Sequence, residues 1–268
     1  LNQLAVENYQ KNICQCIRQW HYSETNNNSV DMMLAINGIP VVAIELKNQL
    51  TGQSIDDAKR QWMYNRDPKE PCFGQNKRIL AYFAVDLYDA AMATVIDRDK
   101  TPFLPFNQGS NGAGNDGGAG NPPTDDNDYV TSYLWKEVWQ KDKLLDIIQK
   151  FINVQKEEKK SKNKDGSQRI DTKIKVIFPR YHQLDVVRKL VAHVRENGAG
   201  HNYLIQHSAG SGKSNSIAWT AYRMASLHND QNEAIFDSVI IVTDRRVLDQ
   251  QLQATVSSFD HTLGTVVT

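Results

Sequence analysis

The most constraining feature of the sequence is a glycine-containing loop between a short apolar run and a helix-forming segment. Residues 202–206 are predicted to form a strand and residues 213–228 a helix, with the loop between them reading Ser208, Ala209, Gly210, Ser211, Gly212, Lys213 and Ser214. Glycines let backbone N–H groups close around phosphate oxygens, and the new helix points its N-terminal N–H groups at the same anion. The segment therefore predicts a nucleotide-binding loop of the Walker A type.

The residue types in this loop suit specific parts of a nucleoside triphosphate. Lys213 supplies a point charge for the β- and γ-phosphates, Ser214 offers a hydroxyl to Mg²⁺, and the backbone from Ala209 to Gly212 lines the phosphates. His207 stands where such loops usually carry their first glycine. Around the loop, the predicted helices 181–196 and 213–228 alternate with the predicted strands 202–206 and 238–243, an order typical of a parallel α/β sheet.

A second candidate site lies in the first half of the chain, on a predicted hairpin. Asn37-Gly38 between two apolar runs is a strong hairpin signal, because both turn residues accept positive φ. Counting back from this turn places Asp31 opposite Ile44, so Asp31 and Glu45 are near neighbours at the open end, with Lys47 on the same face as Glu45. Two carboxylates drawn together favour a bound cation, and hard oxygen ligands suit Mg²⁺. Lys47 could then orient a water for attack on a phosphodiester.

Composition excludes several classes of protein. Among the 268 residues, 31 Lys plus Arg balance 31 Asp plus Glu, which argues against a protein that coats nucleic acid by net charge alone. No run of 18 apolar residues is present, which predicts no membrane span. Three cysteines without a paired spacing fit a reduced, cytoplasmic chain.

The pattern along the chain predicts two domains. Helices are expected over residues 2–20, 54–65 and 132–152, a strand over 79–85, and a flexible loop over the glycine-rich residues 109–121. A run of charged residues follows at 155–168. We therefore predict a first domain over residues 1–154, a charged linker over 155–172, and a second domain over 173–268.

The hairpin residues, Asp-x13-Glu-x-Lys, resemble the PD-(D/E)xK nuclease superfamily, with Val30 in place of the proline. The resemblance implies that the Leu46 carbonyl joins Asp31 and Glu45 around the metal. Gln61 and Tyr64 on the following helix resemble the Gln-x-x-x-Tyr element of the RecB-like branch, but their spacing is one residue shorter. That departure bears more on Gln61 than on Tyr64.

The second half resembles superfamily 2 helicases at two further places. Gln183, thirty residues before Lys213, is similar to the glutamine that reads adenine in the Q-motif, which implies ATP as the nucleotide. The segment from Thr243 is similar to motif Ia, which contacts the DNA backbone. Arg245 or Arg246 would then serve as a phosphate contact.

Nuclease followed by motor, in this order, resembles the restriction subunit (HsdR) of type I restriction–modification enzymes. The resemblance runs through nearly the whole chain and includes residues 81–86, 101–107, 133–139, 178–185 and 200–214. It implies a restriction-endonuclease-like mixed sheet with flanking helices, followed by a partial RecA-like parallel α/β domain. It also implies ATP-dependent cleavage and translocation of double-stranded DNA in the cytoplasm, with Mg²⁺, in a complex with methyltransferase and specificity subunits.

The chain stops before any Asp-Glu-x-His box, so we expect it to be a fragment, cut at both ends, that does not hydrolyse ATP efficiently by itself. Three alternatives stay open. The protein could be a nuclease–helicase fusion acting in DNA repair, although such fusions place the nuclease after the motor. It could be an ATP-gated DNA-binding module without cleavage. Its first half could also be a structural adaptor.

Overall fold

The computed structural model of the chain describes residues 3–74, 79–125, 127–162, 168–244, 252–253 and 255–256. The chain divides into two compact units, a first unit (Leu1–Leu145) and a second unit (Asp146–Thr268). Among the described residues, no helix is both long enough and apolar enough to cross a membrane.

The first unit is built on one six-stranded mixed sheet. Its strands are β1 (Cys14–His21), β2 (Ser29–Ile36), β3 (Ile39–Leu46), β4 (Ala81–Val85), β5 (Ala90–Ala93) and β6 (Leu104–Pro105). They lie side by side in chain order, and β3 and β4 form the parallel pair. The flanking helical elements are α1 (Gln3–Gln10), a 3₁₀ turn (Gln49–Thr51), α2 (Ile55–Arg60), a π-helical turn (Gln61–Asn65), and a second π-helical turn (Leu134–Val138). The mixed α/β sheet predicted for the first half is confirmed.

The β2–β3 hairpin turns where the sequence predicts. Asn37 and Gly38 take φ values of 52° and 78°, the positive values that a tight hairpin turn requires. The Asn37 side-chain oxygen also accepts a hydrogen bond of 2.9 Å from the Ile13 backbone N–H, just before β1 begins. The turn therefore fixes both the hairpin and the start of its neighbouring strand.

The two faces of the sheet bury separate aromatic clusters. On one face, Trp62 packs edge-on against Tyr82, and its indole N–H donates to the Phe83 carbonyl at 2.9 Å. On the other face, Phe83 meets the rings of Phe106 and Trp139 at 5.0 and 5.2 Å. Burial of Trp62 places α2 and the π-helical turn after it against β3 and β4.

Two predicted helices of the first half are wrong in part. The helix predicted over residues 2–20 ends at Gln10, and residues 14–21 form β1 instead. Pairing of β1 with β2 along its whole length supplies backbone hydrogen bonds that outweigh a helix-like apolar spacing. The helix predicted over residues 132–152 is broken into a π-helical turn and α3 (Lys141–Lys150).

The glycine-rich segment 109–121 is a closed loop with its own hydrogen bonds. The Gly109 N–H donates to the Gly120 carbonyl at 2.8 Å, and Ser110 N–H donates to the Gly118 carbonyl at 3.0 Å. At its base, the Asn121 side-chain amide donates to the Tyr88 carbonyl at 2.8 Å. Composition alone predicts flexibility here because it does not register these pairings.

The second unit contains β7 (Asn153–Lys162) paired antiparallel with β8 (Gln168–Ile177), then α4 (Tyr181–Asn197) and α5 (Lys213–Ala225). The predicted helices 181–196 and 213–228 are confirmed. The charged segment 155–172, predicted as a linker, instead contributes most of β7 and the first half of β8. Charged residues predicted a linker, but antiparallel pairing of the two segments supplies the backbone hydrogen bonds of a strand pair.

The predicted parallel sheet of the second half is not formed among the described residues. Segments 202–206 and 238–243 are not strands, and apolar side chains in them are exposed, with Leu204 at 94% and Val242 at 87%. Their apolar content predicted strands, but a strand is stable only where a neighbour supplies hydrogen-bond partners. The described residues offer them no such neighbour.

Candidate functional site

Asp31 and Glu45 lie on the same face of the β2–β3 hairpin because of a β-bulge. Near the turn Ile36 pairs with Ile39, as predicted, but Val41 is an extra residue on β3 and shifts the register. Met32 then pairs with Ile44, and continuing by one residue brings Asp31 level with Glu45. The prediction that Asp31 lies opposite Ile44 is therefore wrong by one residue. The shift matters, since a slip of one residue moves a side chain to the other face.

Glu45 is a buried carboxylate held by a residue that the sequence analysis missed. Its Oε1 accepts hydrogen bonds from Arg66 Nε at 2.8 Å and Arg66 Nη2 at 2.5 Å. Arg66 is 8% exposed and follows the π-helical turn that carries Gln61. No signal in the sequence singles out Arg66, because a lone arginine after a helix is usually solvated.

The electrostatics of this pair favour a proton or a cation on the carboxylates. Burial is the main cause that raises the pKa of Glu45 to about 8; the positive charge of Arg66 acts against this rise, and the negative charge of Asp31 adds to it. Among the described residues, no group donates a hydrogen bond to Glu45 Oε2. Asp31 is better satisfied, because its Oδ1 accepts from Gln19 at 3.1 Å and its Oδ2 accepts from the Leu46 backbone N–H at 2.8 Å.

The oxygen atoms of Asp31 and Glu45 are suitable ligands for a divalent cation. Glu45 Oε2 has no hydrogen-bond donor among the described residues, and the Glu45 carboxylate is in side-chain contact with that of Asp31, so a cation between them would be bound by the hard oxygen ligands that Mg²⁺ prefers. The described residues contain no group of three His, Cys, Asp or Glu side chains suited to a metal. Glu7, a further acidic residue of the first unit, is exposed on α1 and accepts from Gln3 at 3.2 Å. Asp31, Glu45 and the Leu46 carbonyl therefore remain the predicted ligand set.

Lys47 and Gln61 are in direct contact. The Lys47 ammonium donates to Gln61 Oε1 at 2.5 Å, and this bond fixes the ammonium of the residue that lies two positions after Glu45. Tyr64, by contrast, is 65% exposed. The short spacing between Gln61 and Tyr64 thus does not keep Gln61 from the site, because the π-helical turn that begins at Gln61 changes which residues share a face.

Without a divalent cation, we expect the first unit to lose stability as the pH rises from 5 to 8. The pKa of Glu45 is raised from 4.5 to about 8, so in this range the folded chain holds a proton that the unfolded chain has released. A folded state that binds more protons becomes less favourable as pH rises. At about 1.4 kcal/mol for each unit between the two pKa values, the loss should reach a few kcal/mol.

The measurement is hydrogen exchange of the β3 amides in the presence of a chelator, corrected for the intrinsic pH dependence of exchange. Glu45→Gln is the matched control, because an amide has nothing to titrate and should remove most of the slope. Equal slopes in the wild type and in Glu45→Gln would contradict the assignment of the raised pKa to Glu45.

The segment predicted as a phosphate loop, residues 207–214, has two glycines with positive φ before a helix. Gly210 and Gly212 take φ values of 73° and 82°, and Gly212 is the N-cap of α5. The Lys213 ammonium donates to the His207 and Ser208 carbonyls at 3.1 and 2.8 Å, so the loop is closed around its own lysine. Among the described residues, the buried Ser211 hydroxyl has no hydrogen-bond partner. Ser214 lies in the first turn of α5.

The Gln183 side chain is hydrogen-bonded to this loop. Its side chain is buried at 3% exposure, its amide donates to the Gly212 carbonyl at 2.9 Å, and its oxygen accepts from the Arg180 N–H at 2.8 Å. His182 contacts the same loop through the Ser211 carbonyl at 2.9 Å, a role that the sequence analysis missed. Recognition of adenine by Gln183 stays a prediction. Arg245 and Arg246, predicted as phosphate contacts, lie outside the described residues.

Comparisons with known proteins point to one kind of protein. Residues 4–112 match the family described as the type I restriction enzyme R protein N terminus, and residues 182–266 match the SWI2/SNF2 ATPase family. A putative type I restriction enzyme MjaVIIIP endonuclease subunit of Methanocaldococcus jannaschii is 24% identical over 262 residues, covering 92% of this chain. The chain spans only 21% of that relative's length. No solved structure gives a significant match.

Proposed function

We propose that this HsdR-like chain belongs to an ATP-dependent nuclease. Its first half is similar to a type I restriction R protein and its second half to a SWI2/SNF2 ATPase. In this proposal the first unit hydrolyses phosphodiester bonds of double-stranded DNA. The second unit supplies the nucleotide-binding start of the motor that moves the DNA. The wider assembly would include methyltransferase and specificity subunits that recognise the DNA site.

One observation carries the nuclease part of the proposal. Glu45 presents a buried oxygen without a donor on the same face of the hairpin as Asp31, and Lys47, two residues after Glu45, donates to Gln61. A structural salt bridge would use both oxygens of Glu45, and a solvated strand end would expose them. Neither alternative accounts for this arrangement.

In this proposal the acidic residues of the site bind the metal, and the lysine acts on the water and the phosphate. Asp31, Glu45 and the Leu46 carbonyl would hold Mg²⁺, which when bound supplies charge neutralisation at the phosphodiester and lowers the pKa of water. Lys47 would supply a positive charge, suited to orient a water molecule and to stabilise the negative charge that develops on the phosphate. Gln61 holds that ammonium, since it accepts from Nζ.

The proposal for the second unit rests on the loop backbone. Positive φ at Gly210 and Gly212 turns the chain into α5, and the Lys213 ammonium already lies inside the loop. A triphosphate would offer this ammonium better acceptors than two carbonyls, since charge-assisted hydrogen bonds are the stronger ones. ATP would thus bind by replacing the contacts of Lys213 with His207 and Ser208.

The test is cleavage of a supercoiled plasmid by the full-length protein assembled with its methyltransferase and specificity subunits. We compare the wild type, Lys47→Ala and Lys213→Ala, with Mg²⁺ and with or without ATP. The wild type should cut only with ATP, Lys47→Ala should keep ATP hydrolysis but lose cleavage by a factor of about 100 or more, and Lys213→Ala should lose both. Lys59→Ala is the matched control, because Lys59 on α2 pairs with the exposed Asp56 at 3.0 Å and, among the described residues, has no ion pair with Asp31 or Glu45.

Each result has a defined meaning. Normal cleavage by Lys47→Ala would show that the hairpin carboxylates are structural and would overturn the nuclease assignment. Normal ATP hydrolysis by Lys213→Ala would overturn the assignment of the nucleotide loop. Cleavage without ATP would contradict a nuclease that depends on the motor.

A further inference from the structure

The contact between Arg66 and Glu45 has an unusual form. Arginine–carboxylate pairs are frequently bidentate, with one N–H directed at each carboxylate oxygen. Here both Nε and Nη2 of Arg66 converge on Oε1 of Glu45, at 2.8 and 2.5 Å. The second oxygen, Oε2, is buried and receives no hydrogen bond from the described residues. The guanidinium thus fixes the carboxylate through one oxygen and leaves the other unused.

Arg66 also ties together the two strands that carry the site. Its Nη2 donates to the Ser29 carbonyl at 2.8 Å, on β2 and two residues before Asp31. Its guanidinium carbon lies 5.6 Å from the centre of the Tyr22 ring, within the range of a cation–π contact. One side chain therefore sets the position of Glu45 on β3 relative to the backbone of β2.

Stability alone does not account for this pair. Burying two charges costs several kcal/mol per ion, and well-packed apolar residues of similar volume are often as stabilising or more so. A pair kept only for stability would also make every hydrogen bond available to it, since an unsatisfied buried acceptor is unfavourable. With no donor at Oε2 among the described residues and the Asp31 carboxylate in side-chain contact with Glu45, the two carboxylates are arranged to share a cation.

We propose that Arg66 is a positioning residue for the metal site: it locks the Glu45 carboxylate in one orientation, with Oε2 presented beside Asp31 for a divalent cation. This inference rests on the proposed nuclease function, since it concerns the same carboxylates. Arg66 itself contacts neither the cation nor the DNA. Its contribution is to the affinity of the cation, because the ligand oxygen needs no reorganisation when the cation binds.

The direct test is Mn²⁺ binding, measured by the loss of the free Mn²⁺ signal in electron paramagnetic resonance, on the full-length protein without DNA. Arg66→Lys keeps the positive charge but cannot direct two N–H groups at Oε1 and a third at Ser29. We expect its dissociation constant for Mn²⁺ to rise about tenfold or more, the size of effect that residues supporting metal ligands show. Arg60→Lys is the matched control, because Arg60 is exposed on α2 and only reaches Asp57 at 3.9 Å.

A second measurement separates positioning from a general structural role. Plasmid cleavage by the assembled complex is followed as a function of Mg²⁺ concentration. In Arg66→Lys the half-saturating Mg²⁺ concentration should rise while the rate at high Mg²⁺ recovers most of the wild-type value. A rate that falls at all Mg²⁺ concentrations, with unchanged Mn²⁺ affinity, would overturn the inference, as would unchanged behaviour in both measurements.

Two further variants keep the inference testable and separate from the nuclease proposal. If hydrogen exchange shows that Arg66→Lys does not fold, Arg66→Gln retains an N–H donor for Oε1, and the same rise in the Mn²⁺ dissociation constant is expected. Cleavage by the wild type that is lost in Lys47→Ala supports the nuclease independently of Arg66. Unchanged Mn²⁺ binding in a folded Arg66 variant would therefore overturn only the positioning role.

Discussion

Replacing Asp86 with alanine is expected to destabilise the first unit by about 3 kcal/mol or more, because a single buried carboxylate satisfies three backbone N–H groups. Its Oδ1 accepts from the N–H groups of Tyr88 and Asp89 at 2.9 and 2.8 Å. Its Oδ2 accepts from the Ile55 N–H at 2.9 Å, at the start of α2, and from the Gln49 side chain at 3.1 Å. Alanine leaves these donors without a partner.

The effect of Asp86→Ala should extend to the candidate site. Gln49 begins the turn that follows Lys47, and Ile55 begins the helix that leads to Gln61. Hydrogen exchange of the peptide over residues 49–65 measures the loss, and DNA cleavage should fall with it. Asp89→Ala is the matched control, because the Asp89 carboxylate accepts from the Asn107 side chain at 2.6 Å in a half-buried position. Equal protection in Asp86→Ala and Asp89→Ala would contradict the prediction.

Replacing Gly212 with alanine should strongly weaken the nucleotide binding that we propose for the second unit. The φ of 82° at Gly212 is in the left-handed region, which costs an alanine about 1–2 kcal/mol. A Cβ atom would also lie 2.5 Å from Nε2 of Gln183, which is closer than real Cβ contacts. Gln183 is held by Arg180 and by the loop itself, so its amide has little room to move. We expect ATP affinity to fall by a factor of about 100 or more, which corresponds to a loss of about 3 kcal/mol in binding free energy.

Gly210→Ala separates the two causes of this loss. Gly210 has a similar φ of 73°, but a Cβ there would meet nothing within 4 Å, so its substitution adds backbone strain only. In the double variant Gly212→Ala with Gln183→Ala, the Cβ gains space and part of the loss should be recovered. ATP binding to the full-length protein is measured by calorimetry. If the loss of ATP binding free energy in the double variant equals the sum of the losses in the two single variants, Gln183 does not exclude a side chain at position 212.

Local signals in the sequence identified the parts of the fold that depend on local chemistry. Asn37 and Gly38 take the positive φ values that the hairpin turn needs, and α4 and α5 begin within a residue or two of their predicted starts. These features depend on residue types a few positions apart.

Features that depend on distant partners were not predictable in the same way. Arg66 becomes part of the site only because the π-helical turn brings it to Glu45, and nothing near Arg66 in the sequence indicates burial. β1 is a strand because β2 pairs with it, and segment 202–206 is not one because no described neighbour does. In each case the deciding interaction is a contact between residues far apart in the chain.

The bulge at Val41 gives the spacing of the two carboxylates a meaning of its own. Thirteen residues separate Asp31 from Glu45, an odd number, whereas residues directly opposite in a regular hairpin with a two-residue turn have an even number between them. An odd count is therefore compatible with a shared face only if one strand carries an extra residue. Related hairpins should obey the same parity rule. If one residue is added or removed between the carboxylates, the number of bulges must also change by one. Otherwise the two carboxylates lie on opposite faces of the sheet.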